Sequence, residues 1–278
     1  MESIKTFKRR TRSGGALVSR YALIGVEGNH DQAFLEKILR KLLGFSKLED
    51  QKIREDLFWE KFIPKYPAKS LKLHTRLDMP TILYKDDLLV GIYGGEGSKL
   101  IQNLGDKLSN ISDYSSLLSA FGIVADADKN TPNQVVTTYH NGLKEYFPDF
   151  PNQLNEIGSV TDSKPKLGIY ILPDNTNQGV LDTLLCTCGE VAYPEYMQRA
   201  KDYINQFSET ETKKLGWKPF DKEKATIATV VSVLKPGKTN TVSIADNAWI
   251  SLETQNHIPK LSNLSNFLAR LLDLKSVS

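Results

Sequence analysis

Acidic side chains follow two apolar segments of the sequence, at the points where those segments stop. Residues 21–26 form an almost continuous apolar run that ends at Glu27, and Asp31 lies four residues further on. A second apolar run ends at Asp126, which Asp128 follows at the spacing Asp-x-Asp. Carboxylates that share a crevice repel one another unless a cation neutralises them, and hard divalent cations prefer carboxylate oxygens. The pattern predicts a site for one or two Mg²⁺ or Mn²⁺ ions.

Other residues that could do chemistry form no second site in the sequence. A third apolar run, residues 167–172, also stops near an acid, Asp174. The four histidines have no visible nucleophile partner and no metal-ligand spacing. Cys186 and Cys188 are the two cysteines, and alternate residues of a helix point to different faces. We therefore expect free thiols rather than a zinc pair.

Alternating strands and helices would position these acids. Residues 21–26 fit a strand buried on both faces, Gly28 fits a tight turn, and apolar residues recur at helical spacing from Asp31 onward. Similar runs predict further strands at residues 88–93, 121–125 and 167–172. The alternation predicts an α/β protein with a central, mostly parallel sheet and helices on both faces. Ligands of such sheets bind outside the carboxyl ends of the strands, which is where Glu27 would lie.

One domain accounts for the length and composition of the chain. Its 278 residues, 40% of them apolar, can build one large core, and we expect a single domain over residues 20–278. A charged stretch at about 44–80, with an amphipathic helix at about 47–61, reads as a helical insertion. Further helices are predicted at about 194–207, at 221–234 with Asp221 as N-cap, and at the C-terminus, packed on the outside.

The N-terminal 19 residues carry the clearest cluster of basic side chains. We expect a flexible, solvated arm over residues 1–19, with a phosphate clamp as the alternative. The net charge of +3 argues neither for nor against nucleic acid, because local clustering decides. The cluster comprises Lys5, Lys8, Arg9, Arg10 and Arg12.

Signatures of several other protein classes are missing from the sequence. The glycine-rich turn at residues 94–98 could bind phosphate through its amides, but it lacks the P-loop ending and the dinucleotide-binding spacing. The sequence has no uninterrupted apolar run of about 18 residues and no apolar signal-peptide core after its basic start. We expect a cytoplasmic protein with no membrane partner.

The order of the acids resembles the TOPRIM domain, a Rossmann-like module of topoisomerases, primases and the OLD (overcoming lysogenisation defect) nucleases. The Glu-x-x-x-Asp spacing of Glu27 and Asp31 is closest to the OLD-like branch. The downstream pattern is similar to the stand-alone TOPRIM proteins grouped as DUF3226, and the resemblance covers residues from about 20 to 275. It is carried by Val26-Glu27-Gly28 with Asp31, residues 124–128, residues 172–175, residues 179–185, and Lys224-Ala225.

The resemblance implies a role for each matching acid. Glu27 would be a metal ligand that could also act as a general base, with Asp31 helping to hold either Glu27 or the ion. Asp126 and Asp128 would be the metal-binding pair. Asp182 stands where the OLD-like branch usually has Glu, so this ligand is a methylene shorter.

Two lysines complete the implied site. Lys224 would correspond to the basic residue that stabilises charge on the phosphate oxygens, and Lys222 is close enough to compete for the same nucleic-acid contact. The expected function is therefore a Mg²⁺- or Mn²⁺-dependent nuclease of the TOPRIM and OLD-like type, which hydrolyses phosphodiesters of DNA or RNA. Family analogy alone adds a role in phage defence.

Two other functions stay open at this point. The chain could be a non-catalytic subunit that binds nucleic acid or recruits a partner. OLD-like TOPRIM modules usually work with an ATPase, and this sequence has no Walker lysine motif, so an ATPase would act in trans. A phosphatase or nucleotidyl hydrolase of a small substrate would use the same ions. A homodimer is also compatible with the sequence.

Overall fold

The structure is a computed structural model in which a seven-stranded sheet lies between helices. It describes residues 8–10, 16–18, 20–48, 56, 58–63 and 79–274. The strands are β1 Lys8–Arg10, β2 Ala16–Val18, β3 Arg20–Val26, β4 Ser46–Lys47, β5 Thr81–Lys85, β6 Leu88–Gly94, β7 Leu118–Asp126, β8 Ser159–Val160 and β9 Lys166–Leu172. Strands β1 and β2 pair with each other in a separate antiparallel sheet.

The helices follow the strands along the chain as the alternation predicts. They are α1 Asn29–Lys41, α2 Leu100–Leu108, α3 Tyr114–Leu117, α4 Pro132–Leu143, α5 Leu181–Ala192, α6 Pro194–Ile204, α7 Glu209–Lys214, α8 Asp221–Leu234, α9 Asn240–Asp246, α10 Leu252–His257 and α11 Pro259–Leu271. Short 3₁₀ helices lie at Trp59–Lys61 and Gly97–Lys99. None of the helices in the described ranges has both the length and the hydrophobicity that a membrane crossing needs.

The sheet confirms the predicted α/β class. Its strand order is β4-β5-β6-β3-β7-β9-β8. The four long central strands, β6, β3, β7 and β9, are all parallel to one another. The short strands β4 and β8 and the strand β5 pair antiparallel toward the two edges. The sequence patterns did not indicate these three strands. Parallel pairing of the long central strands places their carboxyl ends at one edge of the sheet.

Side chains that alternate along β3 pack on two different layers. Ala22 and Ile24 face a core that α1, α5, α8 and α11 cover, whereas Tyr21 and Leu23 face a core shared with α2 and α4. These β3 residues are 6% exposed or less, as expected for a strand buried on both faces. Helix α11, predicted to pack on the outside, covers one sheet face with its apolar side.

Most of the predicted insertion at about 44–80 lies outside the described residues. The same holds for the predicted arm at residues 1–19, of which the structure describes residues 8–10 and 16–18. Within the predicted helix at about 47–61, Lys47 ends a strand and Trp59–Lys61 form a 3₁₀ helix. Trp59 is fully buried against the sheet, beside Gly91 of β6. The described aromatic side chains of this segment, Phe58, Trp59 and Phe62, therefore pack into the core.

Candidate functional site

The first acidic turn folds back on itself at the end of β3. Glu27 follows the last residue of β3, and Gly28 precedes α1. The Gly28 N–H donates to Asp31 Oδ2 at 2.9 Å, so the Asp31 carboxylate satisfies one of the free amides at the start of the helix. The carbonyl of Glu27 accepts from the Gly97 N–H at 2.7 Å, which ties the turn to the glycine-rich loop after β6.

The second acidic segment lies directly beside the first, because β7 is the parallel neighbour of β3. The Asp126 N–H donates to Glu27 Oε1 at 3.4 Å. Asp126 Oδ1 in turn accepts from the Leu181 N–H at 2.8 Å, at the start of α5. Three elements thus meet at these carboxylates, and Asp182 is the next residue of α5. The predicted convergence of Glu27 and Asp126 at the sheet edge is present in the structure.

Asp128 turns away from the strand but stays at the same edge. Its φ of +51° is in the left-handed region, and its backbone forms an antiparallel bridge with Gly179 through two hydrogen bonds of 2.8 and 3.1 Å. Its side chain is exposed, whereas that of Asp126 is partly buried. The two carboxylates of the Asp-x-Asp motif therefore meet the same crevice from different depths.

The charges of these acids act on one another. Burial raises the pKa of Glu27, and the charge of Asp128 raises it further. Burial, with the charges of Glu27 and Asp182, raises the pKa of Asp31 to about 7. Burial, with the charges of Asp31, Glu27 and Asp128, raises the pKa of Asp126 well above its usual range. The crevice thus holds more negative charge than its own surroundings neutralise.

Tyr139 is a member of the site that the sequence patterns did not reveal. It lies on α4, is buried, and donates a hydrogen bond from its hydroxyl to the Glu27 carboxylate, which lowers the pKa of Glu27. Burial and the neighbouring acids raise the pKa of Tyr139 well above its usual range, so the hydroxyl remains a donor. Helix α4 was not among the predicted helices; the signal that could have located it is its capping box, in which Thr131 and Gln134 bond each other's backbone amides.

The two predicted lysines differ in position. Burial raises the pKa of Asp182, whereas the charges of His30 and Lys224 lower it, which places Lys224 within electrostatic reach of the acids. Lys224 Nζ also lies 3.5 Å from Asp221 Oδ1. Lys222 is exposed two residues away on α8, and side chains at that spacing point to nearly opposite faces of a helix. Of the two lysines, Lys224 is therefore the one whose charge acts on an acid of the predicted site, Asp182.

Asp221 is not the N-cap that the sequence suggested. The cap of α8 is Phe220, in a left-handed conformation, and Asp221 is the first residue of the helix. The Asp221 side chain accepts from the Lys218 N–H at 2.8 Å instead.

Asp174, the third acid near a strand end, has a structural environment. Its carboxylate accepts hydrogen bonds from Thr176 and Asn177 and lies 2.6 Å from Lys260 Nζ. Burial raises the pKa of Asp174, but the bonds from Lys260 and Asn177 outweigh it and hold that pKa well below its usual range. This carboxylate organises its own loop. Cys186 and Cys188 are free, as predicted.

A cavity of about 420 Å³ opens beside the acids. Glu27, Asp126 and Asp128 line one side of it. The oxygen-only donors of this side fit a hard divalent cation such as Mg²⁺ or Mn²⁺ better than a soft one. Within the described ranges, no group of three or more His, Cys, Asp and Glu side chains is close enough together to hold a metal ion. A bound cation would have to draw these carboxylates inward.

Comparisons with known proteins give a family, without an activity. A model of the family described as "Protein of unknown function (DUF3226)" matches residues 21–273. The crystal structure of hypothetical protein PH0156 from Pyrococcus horikoshii OT3 is similar to the chain, with a TM-score of 0.47 and 19% sequence identity, over 91% of this chain and 98% of that chain. No curated protein matches the sequence.

Proposed function

We propose that this chain, which belongs to the DUF3226 family of proteins of unknown function, is a divalent-metal-dependent nuclease of the TOPRIM and OLD-like type. The observation that carries the proposal is the contact between the two acidic motifs. Glu27 and Asp126 are 99 residues apart in sequence, yet the Asp126 amide donates to the Glu27 carboxylate at the carboxyl edge of two adjacent parallel strands. This arrangement resembles the order of acids in TOPRIM nucleases.

The acids divide into direct and supporting roles in the proposal. Glu27, Asp126 and Asp128 line the cavity and would hold the ions. One carboxylate oxygen of Asp31 already accepts a hydrogen bond from the Gly28 amide, so the main role of Asp31 is to shape the turn and add negative charge. Asp182 approaches from α5 with a side chain shorter than Glu, and it would complete the set from the far side.

When bound, one or two Mg²⁺ or Mn²⁺ ions would supply an activated water and neutralise charge on the scissile phosphodiester. The protein's own groups would do the rest. Glu27, whose pKa is raised above its usual value by burial, can accept a proton from the attacking water. Tyr139 keeps the Glu27 carboxylate oriented, and Lys224 can pair with a phosphate oxygen. DNA and RNA are both candidate substrates.

The test is cleavage of plasmid DNA, single-stranded DNA and total tRNA by the purified chain with Mg²⁺ or Mn²⁺. Glu27→Gln and Asp126→Asn should be folded and inactive. Asp106→Asn, an exposed acid on α2, is the matched control and should cut like the wild type. The proposal fails if no substrate is cut and calorimetry detects no Mn²⁺ binding.

Binding of nucleic acid without cleavage would favour the second candidate, a non-catalytic subunit that works with an ATPase in trans. Adding candidate ATPases to the same assay then separates an activity that needs a partner from a scaffold that has none.

A further inference from the structure

The cavity beside the acids has a second wall of a different kind. Gly97 and Ser98 of the loop after β6 form one part of this wall, and α4 forms the other through Gln134 and Thr138. Gln134 and Thr138 are four residues apart, so they lie on one face of α4, and both are exposed. The cavity therefore runs from the carboxylates to a surface of amide and hydroxyl groups.

The chemistry of this second wall suits a nucleoside better than a phosphate. Among the described residues that line the cavity, none is Lys or Arg, so this wall does not offer the cations that a phosphate track needs. Gln134 Oε1 accepts from the Thr131 amide at 2.9 Å, so its two amide hydrogens are the donors it can present. The Thr138 hydroxyl donates to the backbone carbonyl of Gln134 at 3.0 Å, so the lone pairs of the hydroxyl oxygen remain free to accept a hydrogen bond from a ligand.

Apolar side chains complete the wall. Ile101 of α2 and Val135 of α4 also line the cavity. Apolar contact for the face of a ring, next to donors and acceptors for its edge, is the usual composition of a small-molecule pocket, and about 420 Å³ lies in the usual size range. A base still paired in a duplex brings its partner strand with it, so the base that fits beside the acids is unpaired, either in a single strand or flipped out of a duplex at an energetic cost.

We infer that this wall binds an unpaired nucleoside next to the scissile phosphate, and that single-stranded nucleic acid, which needs no base flipping, is the preferred substrate. The inference rests on the proposed function, because the acids supply the phosphate end of the site. A free nucleotide shares the same nucleoside chemistry, and the experiment separates the two sources.

The experiment measures binding, so it does not depend on turnover. A fluorescein-labelled oligothymidylate or oligouridylate is titrated with the full-length Glu27→Gln chain in Mg²⁺, with fluorescence anisotropy as the readout. Thr138→Leu removes the hydroxyl and narrows the cavity. Thr137→Leu is the control, because Thr137 is exposed and makes the same bond to the backbone four residues earlier at 2.9 Å, but does not line the cavity. Thermal unfolding verifies that both variants are folded.

We expect Thr138→Leu to weaken binding of the single strand by about tenfold, which is the order of one lost hydrogen bond, and Thr137→Leu to have little effect. The duplex of the same sequence should bind much more weakly. Equal binding of duplex and single strand, or equal binding by the two threonine variants, would overturn the inference.

Competition by a free mononucleotide as strong as by the oligonucleotide, with the same dependence on Thr138, would overturn the single-strand assignment in favour of a nucleotide substrate. If the nuclease assay fails while Thr138-dependent binding persists, the proposed function fails and the nucleoside site stands. If the wild type cuts nucleic acid and Thr138→Leu cuts it equally well, the proposed function stands and the nucleoside site fails.

Discussion

Replacement of Asp31 by Asn should stabilise the metal-free protein at pH 8. The Asp31 carboxylate lies beside Glu27 and within reach of the Asp182 charge, and these interactions together with burial raise its pKa from 3.8 to about 7. The amide oxygen of Asn can still accept the Gly28 N–H, so the turn before α1 keeps its hydrogen bond. The substitution therefore removes repulsion while it preserves the local geometry.

The sign and size of the effect follow from the raised pKa. Folded Asp31 holds its proton more tightly than unfolded Asp31, so the fold is stabilised as the pH falls. The penalty is fully present above about pH 7 and disappears below about pH 3.8. One pKa unit corresponds to about 1.4 kcal/mol, which sets an upper bound of ~4 kcal/mol for this change. Because neighbouring carboxylates share the repulsion, we expect a gain of about 1–3 kcal/mol at pH 8.

The assay is denaturant unfolding in chelator at pH 8 and pH 5.5. The wild type should gain stability on acidification, and Asp31→Asn should gain less. Asp174→Asn is a matched control at another buried acid, and it should lose stability at both pH values by roughly 1–3 kcal/mol, because Asp174 is held by hydrogen bonds from Lys260 and its own loop. An Asp31→Asn protein that is less stable than the wild type at pH 8 would refute the reasoning and leave Asp31 as a simple helix cap.

Three further predictions concern the site and its support. Tyr139→Phe removes the hydrogen bond that lowers the pKa of Glu27, so Mn²⁺ affinity measured by calorimetry should fall, and the loss should be larger at lower pH, where protons compete for the Glu27 carboxylate; a loss that does not depend on pH would contradict this role. Mn²⁺ at a hundredfold excess over its Kd should stabilise the wild type by about 3 kcal/mol in thermal unfolding, and chelator or Asp126→Asn should abolish the gain; the same gain in Asp126→Asn would place the ion elsewhere. Gly91→Ala should cost about 1–3 kcal/mol in denaturant unfolding, because an added Cβ would meet the Trp59 ring at 2.4 Å; an unchanged midpoint would show that the ring moves freely.

The family and the general architecture could be predicted from the sequence. The match to the DUF3226 model confirms that part of the resemblance, and the TOPRIM and OLD-like relationship stays a proposal. The long apolar strands were found because a strand buried on both faces gives a continuous local signal. The edge strands β4 and β8 were not found, because each has two residues, which is too short for a periodic signal, and each forms only by pairing with a neighbouring strand.

The role of each charged residue depended on distant parts of the chain. Asp126 ends one apolar strand and Asp174 lies just past another, and the local sequence gives no hint that Lys260 of α11 would neutralise Asp174. Lys222 and Lys224 differ only in the face of α8 that each occupies relative to Asp182. Such differences are set by how helices pack, which local spacing does not encode.

The sequence by itself determined that Glu27 and Asp126 would meet, because parallel strands that end in acids deliver them to the same edge of a sheet. Only the tertiary structure decided what surrounds them. The bond from Tyr139 to Glu27 and the cavity beside the acids arise where side chains of α4 lie next to Glu27, the residue after β3. Their physical origin is contact between segments that are distant in the sequence, which no local periodicity can specify.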